Sequence, residues 1–365
     1  MTADSTARAS SSADPLASRL PVTVITGFLG SGKTTLLRRL LRHPGMNRAA
    51  VIINEFGEAG IDHELVEASS EQMTLLGNGC LCCTLRTDLQ ETLRDLFVKR
   101  RAGEVIDFDR VFVETTGLAD PVPVLHTLRT DGLLGAQYRL NGVVTLVDAV
   151  NGMGQLDTMP EAVKQAAVAD RLVVTKTDLA DRLAVAGLRD RLAALNPFAL
   201  CATAIDGELD PALLADIAPR RVNAPAEELA RWLDSAAARE ERAVQADVAE
   251  RVAGRAAHDE AIRSFCLWFD RPFTWDGLNA ALQALAQLRG PDLLRVKGIV
   301  HVVGERGPVV LQGAQHLFHP PVTLESGHGS EPRSRIVFIV RNMRRESIEA
   351  LFAAVGALAE APGPR

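Results

Sequence analysis

Lysine is nearly missing from this 365-residue chain: of 40 basic side chains only Lys33, Lys99, Lys164, Lys176 and Lys297 are lysines, and arginine supplies the rest. Each ammonium group therefore stands out, because a compact charge on a flexible stem does what a guanidinium fork cannot. Lys33 and Lys176 fall inside motifs described below, whereas Lys99 and Lys164 read as solvated surface lysines. A basic surplus is missing as well. The formal net charge is −6, which argues against neutralisation of a nucleic-acid backbone and hence against nucleic acid as a partner. There is no apolar run suited to a membrane span, so no membrane association is expected. Residues 1–19, rich in Ser, Ala and Asp, lack the apolar centre of a signal peptide and read as a disordered tail. The expected compartment is the reducing cytoplasm, where the five cysteines are thiols or metal ligands before they are disulfides.

What the chain does have is ample apolar material, 47% of its residues, enough for two cores. From about Leu20 to Thr203 short apolar strands alternate with helical stretches. Strands are expected at Val22 to Ile25, Ala50 to Ile53, Arg110 to Glu114, Val143 to Val147, Arg171 to Thr175 and Ala199 to Thr203. This alternation predicts an α/β fold, a doubly wound parallel sheet covered on both faces, over residues 20–210. Residues 211–260 are dominated by Ala, Glu and Arg and read as a charged linker with helical segments. Residues 261–360 show runs of strands with helices near Trp275 to Leu288 and Glu346 to Leu358, the pattern of a second, smaller α+β domain.

The first expected strand runs into Gly27-Phe28-Leu29-Gly30-Ser31-Gly32-Lys33-Thr34, which satisfies G-x-x-x-x-G-K-[ST], and then into the leucine-spaced helix of Thr35 to Leu41. That context marks a phosphate-binding loop of the P-loop NTPase kind. Backbone N–H groups of Gly27, Gly30, Ser31, Gly32, Lys33, Thr34 and Thr35 can turn toward a polyphosphate. Lys33 can set its charge between the β- and γ-phosphates, and the Thr34 hydroxyl can ligate Mg²⁺. Downstream, Thr175-Lys176-Thr177-Asp178 follows an apolar strand and matches [NT]-K-x-D, with Thr175 where asparagine is commoner. Asp178 can accept from both N1–H and the exocyclic amine of guanine, which adenine cannot offer; an unpaired buried group costs about 1–3 kcal/mol. GTP is thus the expected nucleotide, with the Lys176 stem lying over the base.

Val111-Phe112-Val113-Glu114-Thr115-Thr116-Gly117 is a strand ending in a carboxylate, with a glycine three residues on. Glu114 suits a catalytic role beside Lys33, holding Mg²⁺ through a water or orienting the attacking water, and the Gly117 N–H can sense the γ-phosphate. The plain alternative is a surface acid at a strand end. Cys80, Cys82 and Cys83 lie within four residues, and clustered thiols suit soft or borderline ions such as Zn²⁺ or Co²⁺. A redox pair or a vicinal disulfide are the other readings. Asn54 to Asp62 carries several acids and two glycines, a switch candidate whose Glu55 and Asp62 can complete a metal shell when the loop orders; a turn with solvated acids is the alternative. Cys201 and Cys266 read as buried structural thiols.

Taken together and in this order, GFLGSGKTTLL, NEFGEAGID, GCLCC, ETTGLADP and TKTD closely resemble the CobW family of P-loop GTPases, and HDEAIRSFCLWFDRP, RVKGIVHVVG, QHLFHPP and SRIVFIVR resemble that family's C-terminal domain. The resemblance implies a GTPase that converts GTP and water to GDP and phosphate. It also implies a divalent ion, zinc or cobalt, bound through the C-x-C-C motif and delivered to a client metalloprotein according to nucleotide state. The chain lacks the histidine-rich linker of many relatives. Two other readings remain open: a GTP-dependent assembly factor for a metalloenzyme of nitrile hydratase or cobalamin-pathway type, and a regulator that senses metal or redox state.

Overall fold

The computed structural model describes residues 19–54, 73–75, 81–85, 89–197, 199–215, 217, 262–315, 317–318, 321–323 and 333–356. The expectations for the tail, for most of the charged linker, and for Glu55, Asp62 and Cys80 lie outside the described residues, as do the side chains of Cys82 and Cys83.

The first sheet contains β1 (Leu20–Gly27), β2 (Ala49–Asn54), β3 (Met73–Leu75), β4 (Leu81–Leu85), β5 (Arg110–Glu114), β6 (Tyr138–Asp148), β7 (Arg171–Thr175) and β8 (Leu200–Ala204). Their spatial order is β3-β4-β2-β5-β1-β6-β7-β8, with every neighbour parallel except β3, which runs antiparallel to β4. Side chains alternate between two cores as strand geometry demands. Val22 and Val24 of β1 and Val111 and Val113 of β5 enter one cluster. Ile25 and Phe112 enter the other. The first core is closed by α2 (Leu89–Ala102), α3 (Val122–Thr130), α4 (Gly132–Gln137), α5 (Gly152–Thr158), α6 (Pro160–Val168) and α7 (Arg182–Leu195), the second by α1 (Lys33–Leu41) and α8 (Ala212–Ala215). Burial on both faces is why these strands read as unbroken apolar runs.

The second sheet is antiparallel. It holds β9 (Ile262–Phe269), β10 (Leu293–Val300), β11 (Val309–Ala314), β12 (Leu317–Phe318) and β14 (Ser334–Arg341) in the order β12-β11-β10-β14-β9, with β13 (Val322–Thr323) paired to β11. One face packs on α9 (Trp275–Arg289) and α10 (Arg345–Ala354) through Phe265, Phe269, Phe273, Phe338 and Phe352, whose neighbouring ring centroids lie 4.9 to 6.2 Å apart. The opposite face sends Leu294, Ala314 and Ile339 into the first core of the parallel-sheet domain, so the two domains share apolar material. Among the described residues no helix is long and apolar enough to cross a membrane.

Two sequence expectations are corrected here. Cys201 is exposed, because among the described strands β8 is the edge of its sheet, with β7 as its one neighbour. Lys164 is half-buried in an ion pair with Asp120 rather than free in solvent. Lys99 does lie on a solvated helix face, paired with Asp95 one turn away.

Candidate functional site

The candidate site lies where the parallel strands end. Gly27 closes β1, and the chain turns through Gly30 and Gly32, both left-handed with φ of 73° and 93°, before Lys33 opens α1. Glycine stands at the N-cap with no side-chain cap, and the first turn carries no acid of its own. A helix start of this kind favours a phosphate through both its free donors and its dipole. Ser31 is buried and its N–H donates to the Phe28 carbonyl at 3.1 Å, while Thr35 is exposed on the first turn.

Lys33 folds back over the loop, donating from Nζ to the carbonyls of Gly27 at 2.8 Å and Phe28 at 3.3 Å. Burial pulls its pKa down, against the opposing attraction of Glu114. Thr34 Oγ1 donates to Glu114 Oε1 at 3.2 Å, so the helix start and the end of β5 meet. A hydroxyl and a carboxylate side by side are hard oxygen donors, which fit a magnesium ion. Gly117 lies against the phosphate loop so closely that an added Cβ would come within 2.7 Å of the Leu29 backbone nitrogen and 2.8 Å of its Cα. Glycine is therefore required at that contact.

On the other side, Thr175 ends β7 and donates from Oγ1 to the Ser31 carbonyl at 2.8 Å, a direct tie between the Thr175–Asp178 segment and the glycine-rich loop. Threonine in place of asparagine thus still tethers the two motifs. Lys176 is left-handed, φ 55°, and its Nζ bonds Asp148 at the end of β6 at 2.9 Å. Burial alone would raise the Asp148 pKa, but hydrogen bonds from Lys176, Asn151 and the Val150 N–H outweigh it and hold the carboxyl below the usual range. Asp178, three residues beyond Thr175, is exposed.

The cysteine motif enters through β4. Cys82 and Cys83 pair with Val51 and Ile52 of β2 and with Thr74 and Met73 of β3. The next residue, Thr84, stands opposite Ile53, which on its other side stands opposite Glu114. The end of the cysteine strand is therefore two strand spacings, about 10 Å, from the Glu114 backbone. Among the described residues no group of three or more His, Cys, Asp and Glu is gathered as a metal site.

Sequence reasoning missed Asp148, Asp120, Lys164 and Gln165. Asp148 carried a usable signal, since a carboxylate ending an apolar strand is the feature that singled out Glu114. Gln165 had none: it lies in the middle of an alanine-rich helix, yet its side chain is buried and Nε2 donates to the carbonyls of Gly117 and Ala119 at 3.0 Å each.

Comparison with known proteins follows the same division of the chain. Residues 21–202 match the nucleotide-binding domain described as CobW/HypB/UreG, and residues 262–356 match the cobalamin synthesis protein CobW C-terminal domain. The zinc chaperone YjiA of Escherichia coli K12 is 34% identical over 334 residues, covering 92% of this chain and 98% of that protein. The zinc chaperone CobW of Pseudomonas aeruginosa is 34% identical over 213 residues, 50% of this chain and 55% of that protein. The crystal structure of Zn(II)-bound YjiA GTPase superposes with a TM-score of 0.69 at 30% identity over 92% of this chain and 99% of that one.

Proposed function

This chain belongs to the CobW/HypB/UreG family, and from that membership we propose that it is a GTP-hydrolysing metallochaperone that binds a divalent ion through Cys80, Cys82 and Cys83 and couples nucleotide state to delivery of that ion to a client metalloprotein. Zinc is the first candidate, since similar proteins are named zinc chaperones, with cobalt second. The observation that carries the reading is the register across three strands: β4, with two of the cysteines, pairs with β2, and β2 pairs with β5, whose last residue is Glu114. We assign the nucleotide domain to 20–210, the linker to 211–260 and the metal-family C-terminal domain to 261–360.

In this reading the N–H groups from Gly30 to Thr35 hold the phosphates. Lys33 exchanges its two carbonyl partners for β- and γ-phosphate oxygens. Thr34 and Glu114 would hold Mg²⁺, which supplies charge neutralisation at the phosphates when bound. Glu114 orients the attacking water, directly or through the ion's hydration shell. The Gly117 N–H takes the γ-phosphate, and Asp178 with Lys176 reads guanine. GTP binding brings Glu55 and Asp62 into the metal shell or the switch. The ordering cost of the thiolate site is then met in part by GTP, so metal and GTP should strengthen each other's binding by the same factor, in the range of about 5- to 150-fold.

Zinc affinity measured with a non-hydrolysable GTP analogue and with GDP tests this. Tighter binding with the analogue, lost when the three cysteines are changed to serine, is expected; equal affinities in the two states, or binding that survives the triple change, overturn the coupled mechanism.

A further inference from the structure

The loop after β5 is held from outside by α6. Gln165 of α6 gives both amide hydrogens to that loop, one to the Gly117 carbonyl and one to Ala119. One residue earlier, Lys164 Nζ is 2.5 Å from Asp120 Oδ2, and Asp120 Oδ1 accepts the N–H of Val122 at the start of α3. Gln165 is 1% exposed, and among the described residues its Oε1 has no hydrogen-bond partner. A flipped amide would aim that oxygen at two carbonyls, so the orientation is set by charge. An orphaned buried acceptor destabilises the fold, a cost that an apolar side chain of the same size would avoid. The amide is therefore explained by its two loop contacts and not by packing.

The C-terminal end of α6 meets the C-terminal domain. Asp170, two residues past the helix, accepts from the Val143 N–H at 2.9 Å and is paired with Arg295 and, at 3.1 Å, with Lys297, both on β10. All three side chains are buried. Ala162, Ala166, Ala167 and Val168 of α6 share a core with Leu294 of β10 and Ile339 of β14, and α6 packs directly on β10. At 1.5 Å per residue, α6 is a rod about 13 Å long. Its middle, at Lys164 and Gln165, holds the loop after β5, and its C-terminal end, running into Asp170, meets the second domain.

We propose that α6 is the element linking the nucleotide site to the C-terminal domain, and that Gln165 is a positioning residue for GTP hydrolysis, holding the Gly117 peptide while Asp170 anchors the same helix on Arg295 and Lys297. The proposal rests on the GTPase reading above. When the γ-phosphate draws on the Gly117 N–H, the carbonyls of Gly117 and Ala119 carry the displacement to Gln165, and a contiguous helix passes it to Asp170. Conversely, a partner that shifts the C-terminal sheet resets Gly117.

The test uses the full chain and four proteins: wild type, Gln165→Leu, Arg295→Met and the double variant. Lys297 still neutralises Asp170 in Arg295→Met, so the fold persists. Gln165→Leu is expected to lower kcat about tenfold with GTP and GDP affinities unchanged, because binding contacts remain and only alignment is lost. Arg295→Met is expected to lower kcat severalfold in the wild-type background and not at all in the Gln165→Leu background, the non-additivity of one connected unit. Lys164→Met, partly exposed and tolerant, gives a second view of the same loop and is expected to lower kcat severalfold. Full-rate hydrolysis by both Gln165→Leu and Lys164→Met, or equal loss from Arg295→Met in both backgrounds, would overturn the proposal. Amide exchange separates it from the GTPase reading: a non-hydrolysable GTP analogue should change protection along Leu293–Val300 relative to GDP in the wild type and not in Gln165→Leu. A wild type that shows this change without hydrolysing GTP sinks the GTPase reading and keeps the link; identical exchange changes in both proteins sink the link.

Discussion

At the scale of the residue, Lys33 carries the sharpest expectation. Its ammonium is buried against two carbonyls and a carboxylate, with a pKa lowered chiefly by desolvation. Such a charge is costly to the fold and valuable to a phosphate. Lys33→Ala should therefore leave the thermal midpoint unchanged or slightly raised while hydrolysis falls about a hundredfold or more, as expected when a preorganised positive group is lost from developing phosphate charge. A single-turnover assay beside a melting curve checks both halves. A lowered midpoint with intact hydrolysis would show that Lys33 serves the fold instead. The scarcity of lysine in this chain made Lys33 legible from the sequence. Gln165 was not, because its role exists only through carbonyls some 46 to 48 residues away in the chain.

At the scale of the element, the hydrogen bond from Thr175 at the end of β7 to Ser31 joins two strands' loops across the mouth of the sheet. Thr175→Val keeps the shape and β-branching that suit a buried strand and removes this bond, worth about 1 kcal/mol, together with the hydroxyl's weaker contact to the Val147 carbonyl at 3.4 Å. GTP and GDP affinity should each fall about fivefold, while Thr175→Ser retains the hydroxyl and near-normal binding; nucleotide titration by calorimetry decides. Among elements, the long buried strands were legible because two-faced burial writes an unmistakable apolar run. In the first sheet the exceptions were β3 and β4. They are three and five residues long, and β4 consists of Leu81-Cys82-Cys83-Thr84-Leu85, where two cysteines interrupt the apolar signal. A motif that reads as chemistry is thereby also a strand.

At the scale of the molecule, the domains meet through a buried group of charges whose balance depends on pH. Desolvation would raise the Asp170 pKa, but Arg295 and Lys297 overcome it and hold the carboxyl at about 2. Lys297 is pushed down to about 8, by burial first and by the neighbouring Arg295 and Arg171, against the attraction of Asp170. For Asp170 the unfolded chain binds the extra proton between about pH 4 and 2, so its stabilisation is present above that window and lost as pH falls through it. For Lys297 the unfolded chain again binds more protons, now between about pH 8 and 10.5, so stability rises with pH across that range, by up to about 3 kcal/mol. Lys297→Met should abolish that rise. At pH 7 it should be at least as stable as the wild type, since Asp170 keeps Arg295 and a desolvated ammonium is gone. Urea midpoints at pH 7 and pH 10 for the two proteins are the check; parallel pH slopes would place the lysine's titration elsewhere.

The sequence by itself determined the features that are local in the chain. The phosphate loop needs glycines and a lysine at fixed spacing between a strand and a helix, and all of these are contiguous. The base motif likewise follows its own strand, and the apolar periods that define the parallel sheet and the antiparallel second sheet are properties of short windows. Only the tertiary structure decided which strand borders which, and with it the burial of each thiol and charge. Cys201 is exposed because β8 falls at a sheet edge, Lys164 is paired because α6 lies beside the loop after β5, and Asp170 meets Arg295 from 125 residues away. The physical reason is common to all three: a side chain's solvent and its electrostatic partners are set by the packing of distant segments, which no window of sequence contains.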